Sequence, residues 1–240
     1  MAVLMQVLHC FAAMVLFLIP CVIVGLLLRW LAKVPDFVFR KLLHIVAFSC
    51  LTFMTCRAES WQAAALTSVV IALVIYPLLV LCEGMEWYAG FFVQKSPHEV
   101  RRSLLMLFLT YAALVFVAWG LFGRADLCIA SVLMWGVGDA AAALIGIPLG
   151  RHKIRLPRTD GRKSWEGSIA MLVCSLAAGC IAFLLCGELS VKSAALLLLP
   201  GALLGTVTEL YSPSEIDTVS VPVVIVSVQL IGSAVFAGML

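Results

Sequence analysis

A lone carboxylate and a basic segment stand side by side in this chain. Asp139 lies in "GVGDAAAALIGIPLG", which is otherwise apolar or glycine, and residues 151–163 that follow carry six Lys or Arg. An ionised carboxylate deep in a bilayer costs roughly 2.5–3.5 kcal/mol, so it needs a partner, a cavity or a shallow position. Beside a polyphosphate it could hold Mg²⁺, which usually takes one or two carboxylates plus phosphate oxygens and waters.

The helix that carries Asp139 also admits a purely structural interpretation. Residues with almost no side chain form a stripe on the same helix face as Asp139, at Gly136, Ala143, Gly146 and Gly150. Such a stripe is typical of close helix packing, with the carboxylate hydrogen-bonded between helices. Because Pro148 cannot continue a helix, we expect one broken helix near Gly136–Gly150.

The basic segment leads directly into another helix. Ser164 is well placed to cap that helix, so its first free N–H groups and its dipole would add to the charge of Lys163 and Arg162 and hold phosphate. The alternative is an ordinary positively charged anchor at the membrane surface.

Two further groups of polar residues belong with these. The segment "TELYSPSEIDTVSVP" contains Glu209, Glu215 and Asp217 and no basic residue, which favours a metal or substrate site over a solvated turn. Earlier in the chain, Arg40 and Lys41 share a helix surface with His44, so that phosphate contact competes with a simple interfacial role for the histidine.

Composition shows which solvent surrounds the helices that carry these residues. The 240-residue chain is 64% hydrophobic and 12% charged, with a mean hydropathy of +1.14. One water-soluble core cannot bury that surface, so an integral membrane protein is expected. Charge-poor runs predict an all-α polytopic transmembrane bundle of about seven or eight spans, in one membrane domain over residues 1–240. Long runs without period-2 alternation disfavour a β-barrel.

The distribution of charge predicts the orientation. Loops after alternate spans contain all but three of the 16 Lys and Arg residues, the exceptions being Arg57, Arg124 and Lys192. By the positive-inside rule the basic face is cytoplasmic and both termini lie outside. The carboxylates and cations singled out above fall on that cytoplasmic face, and a net charge of +3 gives no reason to expect nucleic acid.

Four motifs, in order, resemble a known family. "RKLLH", "GDAAAALIGIPLG", "GRKSWEGSIAML" and "TELYSPSEIDTVSVP" resemble the CTP-dependent polyprenol kinases, which include dolichol kinase, phytol kinase and a CTP-dependent diacylglycerol kinase, and the third looks most like the phytol kinase branch. The resemblance implies transfer of the γ-phosphate of CTP to an isoprenoid alcohol with Mg²⁺. It implies that Asp139, Lys163, Glu209 and Asp217 are in the site.

The resulting hypothesis assigns residues to three groups. Catalytic roles go to Asp139, Lys163, Glu209 and Asp217, and metal binding to Asp139 with Glu209 and Asp217. Nucleotide or phosphate contacts go to Arg40, Lys41, His44, Gly138, Gly146, Gly150, Arg151, Lys153, Arg162, Ser164, Glu166, Gly167 and Ser168. The expected partners are a lipid alcohol, a nucleoside triphosphate and membrane lipids, without nucleic acid, and a homodimer is left open.

Two alternative functions stay open. Phosphatidate cytidylyltransferases share a similar "GD…WEGS" pattern, but they usually follow it with a longer acidic block rich in Gly and His, which this chain lacks. A transporter or a non-catalytic membrane scaffold could also use acids within its spans, although transporters of this kind often show paired halves.

Overall fold

The computed structural model describes residues 1–85, 88, 98–155, 163–186, 191–213 and 216–237. Within these ranges eight helices are long and apolar enough to cross a membrane, which confirms the predicted all-α transmembrane class. They are α1 (Ala2–Ala32), α2 (Asp36–Arg57), α3 (Trp61–Cys82), α4 (Glu99–Leu114), α5 (Ala125–Leu149), α6 (Trp165–Cys186), α7 (Val191–Tyr211) and α8 (Asp217–Ala237). Helix α4 continues as a π-helix over Val115–Leu121. Two residues discussed above, Arg162 and Glu215, lie outside the described residues.

The helices form two compact units, Met1–Phe116 and Val117–Leu240. In the first unit α1 packs on α2 and α3, and α3 packs on α4. Buried hydrogen bonds join the helices: the hydroxyls of Thr55 and Tyr111 are 2.6 Å apart, and Ser68 Oγ donates to the Phe108 carbonyl over 2.7 Å. Bonds of this kind hold helices together where the surrounding lipid supplies no hydrophobic driving force.

The second unit is built from four antiparallel helices. Helix α5 lies along α6, α6 along α7, α7 along α8, and α8 returns to α5. Its core contains the fully buried Gln229 of α8, whose side-chain oxygen accepts from Ser131 of α5 over 2.9 Å. Because neighbouring helices run in opposite directions, α5 and α7 end where α6 and α8 begin. We call this the loop end of the second unit.

The predicted break near Gly136–Gly150 does not interrupt the helix, which ends one residue after Pro148. Helix α5 is continuous from Ala125 to Leu149 and contains Pro148 within its last turn. Proline removes the donor that would bond the Leu144 carbonyl, but a helix end already leaves its last carbonyls without helical partners. A proline in the last turn therefore coincides with the end of the helix and does not divide it.

Candidate functional site at the loop end of the second unit

The glycines of α5 and α6 serve close packing of these two helices. A Cβ added to Gly146 would lie 3.3 Å from the Cα of Gly167, and one added to Gly167 would lie 2.8 Å from the Ala142 carbonyl oxygen. A Cβ on Gly150 would collide with the Ser164 side chain, and one on Gly138 with Ser175 Oγ. Of the two interpretations, helix packing therefore accounts for the positions predicted to contact phosphate at Gly138, Gly146, Gly150 and Gly167.

Ser164 caps α6, as its sequence position predicted. Its hydroxyl oxygen accepts the backbone N–H of Gly167 over 3.3 Å, and its carbonyl accepts the N–H of Ser168 over 3.0 Å. The N–H of Trp165 donates to the His152 carbonyl over 3.0 Å. Two of the N–H groups that were expected to be free for phosphate, those of Trp165 and Gly167, therefore have acceptors within the protein, whereas the N–H of Ser168 makes an ordinary helical bond. Ser164 and Ser168 are both buried.

Backbone hydrogen bonds join the two ends of the basic segment, residues 151–163. Lys153 and Ser164 form an isolated antiparallel bridge, and the N–H of Ile154 donates to the Lys163 carbonyl over 2.9 Å. Arg151 and Lys153 themselves are exposed.

The carboxylate of Glu166 accepts hydrogen bonds from the first residues of the basic segment. Its Oε1 accepts the N–H groups of Arg151 over 3.2 Å and of His152 over 3.1 Å, and it lies 2.7 Å from Nδ1 of His152. A carboxylate engaged in this way is unsuited to the phosphate contact that the sequence predicted for it. His152 was not among the predicted site residues, because a lone histidine between basic residues shows no pattern in the sequence.

Lys163 and Glu209, both predicted as catalytic, are in direct contact. The Lys163 Nζ lies 3.0 Å from Oε1 of Glu209, and the side chains are only 18% and 12% exposed. The ammonium also donates to the backbone carbonyls of Glu209 and, over 3.1 Å, of Ser212. These acceptors all belong to the carboxyl end of α7, where the helix dipole favours a cation.

Asp217 stands at the same end of the unit. It is the first residue of α8, where the helix dipole favours a negative charge. One turn further, the hydroxyl of Ser220 lies 2.8 Å from that of Ser212, whose carbonyl accepts from Lys163. Lys163 and Glu209 are thus in direct contact, and the bond between Ser212 and Ser220 holds the first turn of α8, which begins with Asp217, against the end of α7.

Along the bundle axis, Asp139 lies close to the level of Glu209 and Asp217. Ser131 of α5 bonds to Gln229 of α8, so eight residues along α5 bring Asp139 level with Val221, about 6 Å along the axis from Asp217. Gly205 of α7 packs on Ile225 and Val221 of α8. Glu209 follows Gly205 by four residues, so it lies about one helical turn nearer the loop end than Gly205 does. The three predicted metal ligands thus lie at levels within about one or two helical turns of each other along the bundle axis. Asp139 is half-buried.

These acids do not form a ready-made cage for a metal ion. In the part of the chain that the structure describes, no group of three or more His, Cys, Asp or Glu is placed to hold one. Glu209 instead has the Lys163 ammonium beside it. The donors nevertheless fit Mg²⁺ as it is usually bound with nucleotides, by one or two carboxylates together with phosphate oxygens.

The remaining predicted residues belong to the first unit. Arg40 pairs with Glu99, with 2.8 Å between Nη2 and Oε1. The ring of His44 packs on that of Phe48, one turn along α2, with centroids 4.5 Å apart. Lys41 is half-buried. The site described above is built from the second unit alone.

Comparisons with protein-family models, with curated proteins and with solved structures find no match to this chain. Its class rests on the helices: they are those of a multi-pass integral membrane protein. Beyond that class, the chemistry has to be argued from the ion pair, the acids and the basic segment at the loop end.

Proposed function

We propose that the chain is a lipid-alcohol kinase that transfers the γ-phosphate of CTP to the hydroxyl of an isoprenoid alcohol at the cytoplasmic membrane face. The observation that carries this proposal is the contact between Lys163 and Glu209 at the loop end, 3.0 Å apart and largely buried. It joins a cation from the basic segment to a carboxylate from the acidic one, near the first turn of α8, which begins with Asp217, and near the level of Asp139. A nucleotide with its metal needs this combination of charges.

The resting ion pair suggests how the nucleotide enters. Lys163 exchanges the α7 carbonyls for phosphate oxygens, and Glu209 loses its cation as a result. Mg²⁺ bound by Asp139 with Glu209 or Asp217 would neutralise charge on the phosphates. Positioning and charge stabilisation contribute most of the catalysis in phosphoryl transfer, which suits a site with few reactive groups.

In the transfer step the alcohol oxygen forms a bond to the γ-phosphorus and the bond to the β,γ-bridging oxygen breaks. CDP leaves, and the hydroxyl proton passes to one of the site carboxylates. The isoprenoid tail lies among the apolar helices, so only the hydroxyl needs to reach the loop end. The three residues of the first unit that were predicted to contact phosphate, Arg40, Lys41 and His44, are not needed for this step.

CTP labelled at either of two phosphorus atoms tests whether the protein is a lipid-alcohol kinase. The purified protein is given a long-chain isoprenoid alcohol, diacylglycerol or phosphatidic acid, with CTP labelled at the α or the γ phosphorus. We expect γ label in a lipid monophosphate formed from the isoprenoid alcohol, and none with Asp139→Asn as the matched inactive control. Label entering only from the α position, and only onto phosphatidic acid, identifies a cytidylyltransferase. No labelled lipid under any condition favours a transporter or scaffold.

A further inference from the structure

We propose that Glu166 is a positioning residue that fastens the start of the basic segment to the first turn of α6. The contacts of its carboxylate are local and specific: two consecutive backbone N–H groups, of Arg151 and His152, and the imidazole of His152. None of these partners is an ammonium or guanidinium group. Glu166 therefore holds backbone in place at the entrance to the segment.

The fastening is reinforced from the other side of the same few residues. The His152 carbonyl accepts from Trp165, and Ile154 donates to Lys163, so the backbone on both sides of the bridge is paired. Glu166 follows Trp165 directly, and its carboxylate adds the hydrogen bonds to the N–H groups of Arg151 and His152. Loss of its carboxylate would leave two N–H groups at the segment entrance without their acceptor, and opening of the bridge would become easier.

Positioning matters because Lys163 is part of the same bridge. Its carbonyl accepts from Ile154 while its side chain reaches α7, so the bridge fixes the backbone from which the ammonium extends. A displacement of about 1 Å in a group that orients a substrate can cost two orders of magnitude in rate. This part of the inference rests on the proposed function.

Limited proteolysis tests the fastening without reference to activity. Trypsin needs an extended, mobile backbone, so cleavage after Arg151 and Lys153 reports opening of the bridge. In detergent we expect Glu166→Ala to be cut there about five to ten times faster than wild type, normalised to cleavage after Lys33 between α1 and α2. Glu166→Gln, which keeps an acceptor oxygen, should stay within about twofold. Equal cleavage of wild type and Glu166→Ala, or of the Ala and Gln variants, overturns the fastening.

Steady-state kinetics with CTP and the lipid alcohol test the positioning. Glu166→Ala should raise the KM for CTP about tenfold, Glu166→Gln should restore it, and His152→Ala, which removes only one of the contacts, should raise it about twofold. An unchanged KM in Glu166→Ala overturns the positioning role. If wild type shows no turnover but the cleavage pattern is as expected, the proposed kinase function fails while the fastening by Glu166 stands.

Discussion

Removing the charge of Lys163 should destabilise the second unit measurably. Lys163→Met keeps the apolar stem, so the change isolates the ammonium and its contacts. That ammonium lies 3.0 Å from the Glu209 carboxylate and donates to two carbonyls at the end of α7. The variant leaves the carboxylate and those carbonyls without this donor.

The size of the effect follows from the burial of the pair. Exposed ion pairs contribute about 0–1 kcal/mol, whereas removing one partner of a fully buried pair costs about 3–5 kcal/mol. Side chains that are 18% and 12% exposed are nearer the second case. We expect Lys163→Met to lower the free energy of unfolding by about 2 kcal/mol. Glu209→Gln keeps an acceptor oxygen and both carbonyl contacts, so it should cost about 1 kcal/mol.

A double-mutant cycle measures the pair directly. Unfolding by SDS in mixed micelles, followed by tryptophan fluorescence, gives the free energies of wild type, both single variants and the double variant. The double variant should cost about 1 kcal/mol less than the sum of the single ones. If Lys163→Met lies within about 0.5 kcal/mol of wild type, the ammonium behaves as a solvated surface charge and the described contact does not hold α7.

Three further outcomes are expected. Asp139→Asn should insert and fold normally yet lose activity about a hundredfold or more, because an amide is cheaper to bury but a poor ligand for Mg²⁺; activity within threefold of wild type removes Asp139 from the mechanism. Gly138→Ala should cost about 2 kcal/mol of stability through its collision with Ser175, whereas the matched change Gly201→Ala, whose Cβ would meet its nearest atoms at 3.6 Å, should be neutral or stabilising in the same unfolding assay. In a cysteine-free background, a cysteine replacing Arg158 should resist an impermeant reagent applied to intact cells, and labelling from outside contradicts a cytoplasmic loop end.

Hydropathy and helix-start signals in the sequence predict the membrane spans and one helix cap of this fold. The eight spans follow from charge-poor runs of membrane length, because a backbone in lipid has to satisfy its own hydrogen bonds. The cap at Ser164 also followed from its place before an apolar run, and the structure confirms it. Both features depend on residues close together in sequence.

Other features of the loop end depend on pairings that the sequence does not encode locally. The N–H groups at the start of α6 looked available, but the carbonyl of His152, 13 residues earlier, accepts that of Trp165. Glu166 resembled a site acid, yet its described partners are two backbone N–H groups and the imidazole of His152. Lys163 and Glu209 were each singled out by the sequence, but their contact across 46 residues appears only in the fold.

The contact between Lys163 and Glu209 should affect nucleotide binding and turnover in opposite directions. If Lys163 has to leave Glu209 to bind phosphate, the intact pair reduces the fraction of protein ready to bind. Glu209→Gln weakens the pair by about 1 kcal/mol, so CTP in the presence of EDTA should bind about fivefold more tightly. Turnover with Mg²⁺ should nevertheless fall, because a carboxylate near the phosphates is lost.

Isothermal titration with CTP in EDTA measures the binding half of this prediction. Adding Lys163→Met to Glu209→Gln is the matched control and should abolish the gain, because the ammonium that was released is then absent. Weaker binding of metal-free CTP by Glu209→Gln would mean that the carboxylate helps to hold the nucleotide even without the metal. In that case the ion pair does not compete with phosphate for Lys163, and the entry route proposed for the nucleotide is wrong.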